Sequence, residues 1–126
     1  MKKILIIYVY SILSFIYASS LEFYENSYAV LIGINNYQSE SMNDLGLAVA
    51  DAESVTDLLT TKLHFPKENV RVLLNEEATK DNINNTLFQI AELAGPNDRI
   101  LIYYAGHGET YPLKNGGELG YLIPFQ

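Results

Sequence analysis

The sequence predicts an α/β fold in which helices flank a partial parallel sheet with the strand order 2-1-3. Three apolar runs, rich in β-branched and aromatic residues, are typical of buried strands; they span residues 28–34, 70–74 and 99–105. Two segments with helical apolar spacing separate these runs, and connections of that length cross over between parallel strands. A chain of 126 residues accommodates one such domain or a part of one.

The first predicted strand, Tyr28 to Ile34, has no polar alternation and is followed by Asn35-Asn36. We expect it to be buried on both faces in the centre of the sheet. In the helix that follows, apolar residues three or four positions apart form one buried face: Ala48, Ala52, Val55, Leu59 and Leu63. His64 comes at the end of this helix, where a histidine complements the negative end of the helix dipole.

The second strand, Val70 to Leu74, contains Arg71 and is therefore expected at an edge of the sheet. Thr79 is the expected N-cap of the second helix, with Asp81 near the positive end of the dipole. The third strand, Arg99 to Ala105, is apolar after its first residue, so we expect burial on both faces. The buried face of the second helix is predicted to contain Ile83, Leu87, Ile90 or Ala91, and Ala94.

Composition limits the chemistry of the chain. The sequence contains no cysteine, which excludes disulfides, thiolate zinc sites, iron–sulfur clusters and a thiol nucleophile within these residues. The net charge of −7 argues against a nucleic-acid surface, which needs clustered Lys and Arg. A nucleotide-binding domain is the weakest alternative, because GINNY replaces the glycine-rich phosphate-binding motifs after the first strand.

Residues 1–20 are predicted to be a signal peptide. Lys2-Lys3 precede the apolar stretch Ile4 to Ala18, and small residues precede the expected cleavage site at Leu21. The apolar stretch is shorter than the roughly 20 residues that a membrane helix needs. We therefore expect export to the periplasm or the medium, and an uncleaved membrane anchor is the alternative.

The order 2-1-3 creates a crevice at the carboxyl ends of strands one and three, because the two connections leave strand one in opposite directions. Its expected rims are Gly33-Ile34-Asn35 and Gly106-His107-Gly108. His107 can exchange a proton with a nucleophile and a leaving group near neutral pH. The flanking glycines leave room for a substrate chain, and the Gly108 N–H can serve as an oxyanion donor. A histidine tolerated in a glycine-rich turn is the alternative.

Five segments, in this order along residues 28–125, carry a family resemblance: YAVLIGINNY, the motif DA-x-x-V-x-x-L that begins at Asp51, AT-x-x-x-I from Ala78, RILIYYAGHGE and GELGYLIP. Together they resemble the N-terminal half of the caspase and metacaspase catalytic domain. The resemblance implies a three-layer caspase-like fold and cysteine-type endopeptidase activity. It makes His107 the catalytic histidine of a Cys-His dyad and Gly108 an oxyanion donor. It also implies that Asp51 lines a pocket for Arg or Lys at the cleaved residue, the alternative being a carboxylate that stabilises the helix dipole.

In that family the nucleophilic cysteine follows on the next strand, beyond Gln126. Residues 21–126 are therefore expected to be the incomplete N-terminal part of a catalytic domain that acts on a peptide or protein substrate and is inactive alone. Thr110 lies too close to His107 along the chain to replace the cysteine. Calcium is used by some metacaspases, but the sequence contains no recognisable ligand cluster. A non-catalytic domain that binds peptides, or pairs with a partner strand through residues 100–104, is the alternative function.

Overall fold

The computed structural model describes residues 23–39 and 41–126, so the predicted signal peptide lies outside the described residues. Short 3-10 helices, Lys67–Asn69 and Asn75–Glu77, precede and follow the second strand. In chain order the main elements of this part are β1 (Ser27–Gly33), α1 (Ala48–Thr61), β2 (Val70–Leu74), α2 (Lys80–Leu93), β3 (Arg99–Ala105), β4 (Gly108–Pro112) and β5 (Glu118–Leu122). No helix among the described residues has the length and apolar character needed to cross a membrane.

The main sheet is parallel and has the order β2-β1-β3, which confirms the predicted topology. Ala29 of β1 is the register partner of both Val70 in β2 and Leu101 in β3. Every residue of β1 is buried, as the unbroken apolar run predicted. The first strand is therefore the centre of the described sheet, and the second strand lies at one edge.

The two helices cover opposite faces of β1, which gives three layers. On the α1 face the buried cluster consists of Ala29, Leu31, Ala52, Leu59 and Phe65. On the α2 face it consists of Tyr28, Val30, Ile32, Ile34, Ala78 and Ile90. Full burial of a Leu, Ile or Val side chain stabilises a fold by about 1.5–3 kcal/mol, so these two clusters hold the layers together.

The end of α1 corrects two predictions. The helix ends at Thr61, and Leu63 is 47% exposed instead of lying on the buried face. His64 has a φ of 57°, a left-handed conformation in which His is more common than most non-glycine residues. The turn brings Phe65 back to the α1 face, where it is 3% exposed and donates its N–H to the Leu59 carbonyl at 3.0 Å. His64 thus lies beyond the last helical turn, outside the range in which the dipole acts.

The start of α2 follows the sequence prediction. The Thr79 side chain accepts a hydrogen bond from the Asn82 N–H at 3.2 Å, and Asp81 lies in the first turn. Ile90 is buried and Ala91 is exposed, which decides between the two residues proposed for that position. The N-cap and the buried face together orient this helix across β1 and β2.

The prediction that β3 is buried on both faces was wrong. Leu101 and Tyr103 pack on the α1 side, but Ile100 and Ile102 are 45% and 58% exposed. These two isoleucines are the register partners of Tyr28 and Val30, whose side chains lie on the α2 face. On this face Tyr104, near the end of β3, packs against the buried cluster, and the strand is uncovered at Ile100 and Ile102. Within the described part of the chain, β3 pairs with β1 alone.

An antiparallel hairpin that the sequence analysis did not predict follows β3. Strands β4 and β5 pair with Gly108 opposite Leu122. Gly116 and Gly117 have φ values of 86° and 87° in the connecting turn, a region that glycine adopts without strain. The Ile123 N–H then donates to the His107 carbonyl at 3.0 Å, so the hairpin returns the chain to the end of the parallel sheet.

Candidate active site

The carboxyl ends of β1 and β3 lie side by side, as the strand order predicted. The Ile34 N–H donates to the Ala105 carbonyl at 3.0 Å, immediately beyond the last paired residues of the two strands. His107 follows two residues later and is half-buried. The two predicted rims therefore meet at one end of the sheet, which is where open α/β sheets bind their ligands.

Three other segments of the chain hold the backbone of His107. Its N–H donates to the Tyr37 Oη at 2.7 Å, across 70 positions of sequence. Its carbonyl oxygen lies 2.9 Å from the Tyr104 Oη and accepts the Ile123 N–H at 3.0 Å. The Tyr37 and His107 rings also contact each other, with their centroids 5.0 Å apart. His107 is thus fixed from both sides of the crevice.

Among residues 23–39 and 41–126, the imidazole of His107 has one hydrogen-bond partner, the backbone carbonyl of Asn43. The distance from Nε2 to the Asn43 oxygen is 2.8 Å. A carbonyl oxygen can only accept, so in the neutral ring Nε2 carries the hydrogen and Nδ1 keeps its lone pair. This arrangement makes Nδ1 the atom that can take a proton from a neighbouring group.

Gly106 has a different role from the one expected. A Cβ at this position would lie 2.5 Å from the Tyr104 Oη and 2.6 Å from the Tyr37 Oη. The space beside Gly106 is therefore filled by the two tyrosine hydroxyls and is not an approach route for a substrate chain. Glycine is needed here because any larger residue would displace the groups that hold His107.

Asn35 is a structural residue of the site that sequence reasoning missed. Its side-chain oxygen accepts the Val49 N–H at 3.1 Å and so caps α1, which has no cap from its own preceding residue. Its carbonyl accepts the Leu45 N–H at 2.7 Å, and its own N–H donates to the Asn75 side chain at 2.9 Å. The sequence analysis placed Asn35 on a rim of the crevice but did not predict that it caps α1, because Asn35 and Val49 are 14 positions apart.

The family model of the caspase domain matches residues 26–126, which is most of the chain. The chain belongs to the caspase domain family. Metacaspase-1 of Pyricularia oryzae is 32% identical over 101 residues, a match that covers 74% of this chain and 25% of that protein. Metacaspase-3 of Arabidopsis thaliana is 31% identical over 97 residues, covering 72% of this chain and 26% of that protein. The chain spans about a quarter of the length of these curated relatives.

A solved structure supports the same architecture. A protein of Geobacter sulfurreducens known from its crystal structure matches with a TM-score of 0.68 at 21% sequence identity. The match covers 79% of this chain and 39% of that protein. At this identity the likeness concerns the fold, and it agrees with the three-layer caspase-like architecture described above.

The other predicted site residues of the caspase domain lie near the same end of the sheet but are less constrained. Gly108 is the first residue of β4 and is exposed, and a Cβ there would lie 3.3 Å from the Tyr121 carbonyl oxygen. Asp51 lies exposed in the first turn of α1, the helix whose first turn is capped by Asn35. The oxyanion role of Gly108 and the substrate-binding role of Asp51 stay predictions.

A cleft of about 370 Å³ opens between the segment that begins at Tyr37 and the residues that follow β5. Asp51 is not among the residues that line it, which are Tyr37, Gln38, Ser39, Met42, Ile123, Pro124, Phe125 and Gln126. Across the described ranges, no group of three or more His, Asp or Glu side chains is arranged to hold a metal ion.

Proposed function

We propose that this caspase domain supplies the catalytic base of a cysteine-type endopeptidase. The observation that carries the proposal is the 2.8 Å contact between His107 Nε2 and the Asn43 carbonyl, which puts the hydrogen of the neutral ring on Nε2 and the lone pair on Nδ1. In this mechanism Nδ1 takes the proton of a thiol, and the thiolate attacks the carbonyl carbon of the peptide bond. The imidazolium then gives its proton to the leaving amine, and water hydrolyses the thioester.

The 126 residues of this sequence contain no cysteine, so the thiol of this mechanism must come from another polypeptide segment. Thr110 is an exposed residue of β4 and lies only three positions from His107 along the chain. It therefore does not provide the opposite wall of the site. We expect the chain alone to have no peptidase activity.

Two further roles complete the proposal. The Gly108 N–H stabilises the negative charge on the carbonyl oxygen of the tetrahedral intermediate. Asp51 binds an Arg or Lys of the substrate, for which an exposed carboxylate in the first turn of α1 supplies the opposite charge. Export through the signal peptide at residues 1–20 is part of the same proposal, and N-terminal sequencing of the secreted protein tests it.

A chimera tests the catalytic role directly. The chain is continued by the cysteine-bearing segment of a metacaspase, and hydrolysis of fluorogenic peptides ending in Arg, Lys or Asp is measured. We expect cleavage after Arg and Lys that is lost on treatment with a thiol-alkylating reagent. The His107→Ala variant should lose at least about a hundredfold in kcat, the usual contribution of a general base. The His64→Ala variant is the matched control, since that histidine is exposed and lies beyond α1.

Two outcomes would contradict the proposal. One is a chimera that shows a cooperative thermal transition but cleaves no peptide. The other is a His107→Ala variant that keeps the activity of the unmodified chimera. An Asp51→Ala variant that cleaves after Arg as well as the parent would remove the substrate-binding role of Asp51 and leave the role of His107 intact.

The open side of β3 favours a second candidate function, a non-catalytic domain that recruits a partner strand. Ile100 and Ile102 are exposed on the α2 face of this strand, and β1 is its only partner among the described residues. An exposed apolar edge strand is a template for pairing with another chain. Dimerisation with slow amide exchange at residues 100–104 would support this function, and a monomer with rapid exchange there would count against it.

A further inference from the structure

The two tyrosine hydroxyls beside His107 form a hydrogen-bond chain whose direction is set at both ends. The His107 N–H can only donate, so the Tyr37 Oη accepts it at 2.7 Å. The Ile123 carbonyl can only accept, so the Tyr104 Oη donates to it at 2.6 Å. The remaining hydrogen of Tyr37 is therefore available to the Tyr104 Oη, at 3.4 Å, a long and weak contact.

Tyr104 keeps its hydrogen at neutral pH. Burial and the neighbouring Tyr37 hydroxyl raise the pKa of its phenol well above the ordinary value. Its single hydrogen is therefore present for the shorter bond to the Ile123 carbonyl, with the His107 carbonyl 2.9 Å from the same oxygen. The direction of the chain does not change with the protonation of the imidazole.

We infer that Tyr37 is a positioning residue for His107, an inference that rests on the proposed function. The Tyr37 hydroxyl holds the backbone nitrogen of His107, and its ring contacts the imidazole with centroids 5.0 Å apart. Two contacts from one side chain restrain both the position and the orientation of the ring, so that Nε2 stays on the Asn43 carbonyl. Tyr37 touches no reacting atom and acts only through His107.

Gly106 provides independent support for this inference. A Cβ at residue 106 would approach both hydroxyls to within 2.5 and 2.6 Å, so glycine at this position keeps the tyrosine pair in place. Tyr37 is also tied to the end of the described chain, because the neighbouring Gln38 N–H donates to the Phe125 carbonyl at 3.3 Å. The residue that holds His107 is itself held by the segment that follows β5.

Nuclear magnetic resonance of the 126-residue chain tests the inference without any enzymatic activity. Nitrogen chemical shifts report which ring nitrogen of each neutral histidine carries the hydrogen, and exposed His64 serves as an internal reference. We expect His107 to be almost entirely the Nε2–H form. In Tyr37→Leu the His107 ratio should move toward that of His64. Tyr111→Leu, in which an exposed tyrosine of β4 is replaced, should leave the ratio unchanged.

The Tyr37→Phe variant keeps the ring and removes the hydroxyl, so it remains informative if Tyr37→Leu fails to fold. Loss of one hydrogen bond should increase the exchange rate of the His107 amide hydrogen about fivefold to tenfold, with the tautomer ratio largely retained. In the active chimera, Tyr37→Leu should lower kcat about tenfold with little change in KM, and Tyr37→Phe should lower it less.

The outcomes separate this inference from the proposed function. An unchanged tautomer ratio in folded Tyr37→Leu, or unchanged exchange of the His107 amide in Tyr37→Phe, would overturn the positioning role. An inactive chimera in which Tyr37→Leu still alters the tautomer ratio would remove the peptidase proposal and leave the positioning role standing.

Discussion

The side-chain oxygen of Asn35 lies 3.1 Å from the backbone nitrogen of Val49 and caps α1 from the end of β1. The residue before the helix, Leu47, supplies no side-chain acceptor for the free N–H groups of the first turn. One amide therefore ties the central strand to the helix that packs on it. The same residue accepts the Leu45 N–H through its carbonyl, which restrains the loop that contains Asn43, the partner of His107.

Replacing Asn35 by Ala should destabilise the domain by about 1–2 kcal/mol, because an N-cap acceptor is lost. Thermal unfolding followed by circular dichroism measures the effect as a lower Tm. Asn36→Ala is the control, since Asn36 is exposed and contacts Asn75 only through its backbone. Equal Tm values for the two variants would show that the capping contact contributes nothing to stability.

Replacing Gly33 by Ala should destabilise the domain by about 1–3 kcal/mol through overpacking. The added Cβ would lie 2.7 Å from the Ala48 carbonyl oxygen and 2.8 Å from the Ala52 Cβ, so α1 must move away from β1. Gly46→Ala is the matched control, because no atom lies within 4 Å of the Cβ position there. Urea denaturation of both variants checks the difference, and a Gly33→Ala midpoint equal to that of Gly46→Ala would contradict it.

The turn from Gly95 to Asp98 should make the free energy of unfolding depend on pH in the acidic range. The hydrogen bond from the Gly95 N–H is the main cause that holds the pKa of the Asp98 carboxyl below its ordinary value of 3.8. Desolvation opposes it, and the two Asn26 hydrogen bonds lower the pKa further. Asp98 therefore stabilises the fold above the unfolded-state pKa, and this contribution is lost as the pH falls through the folded-state pKa.

Urea midpoints measured between about pH 6 and pH 2.5 should fall more steeply in the parent than in Asp98→Asn, because only the parent loses this carboxylate on protonation. The variant should be less stable than the parent at pH 6, and the difference should shrink in acid. Parallel curves for the two proteins would mean that Asp98 has the same pKa in the folded and unfolded states.

Replacing Ile102 by Lys should reduce self-association of the purified domain while changing its Tm little. Ile102 is 58% exposed on the open side of β3, and a lysine on an edge strand disfavours pairing with another chain. Light scattering at increasing protein concentration measures the association. Leu101→Lys is the contrasting variant: it puts a charge among the side chains that pack on the α1 face and should unfold the domain. If Ile102→Lys associates as strongly as the parent, this strand does not mediate self-association.

The parts of the fold that local sequence determines were predictable. The unbroken apolar run of β1, the Thr79 cap and the crossover lengths led directly to a central strand, a helix start and the order β2-β1-β3. The position of His107 at the carboxyl end of the sheet follows from the same topology. These features depend on neighbours a few residues apart or on rules that apply to all parallel sheets.

The parts that depend on distant contacts were not predictable. An apolar run such as β3 indicates that a strand forms, but not that part of one of its faces stays uncovered. The prediction for Leu63 was wrong because the chain makes a left-handed turn at His64, and Phe65 occupies the buried face in place of Leu63. The contact between Tyr37 and His107 joins residues 70 positions apart, and no local pattern encodes it.

The open edge of β3 links the self-association of the domain to its proposed catalytic function. A strand that hydrogen-bonds to this edge runs about 4.8 Å from β3 and covers the backbone groups that have no strand partner among the described residues. Under the proposed function, the strand that pairs with this edge would also carry the thiol to the imidazole. Covering the edge and completing the site would then be one binding event.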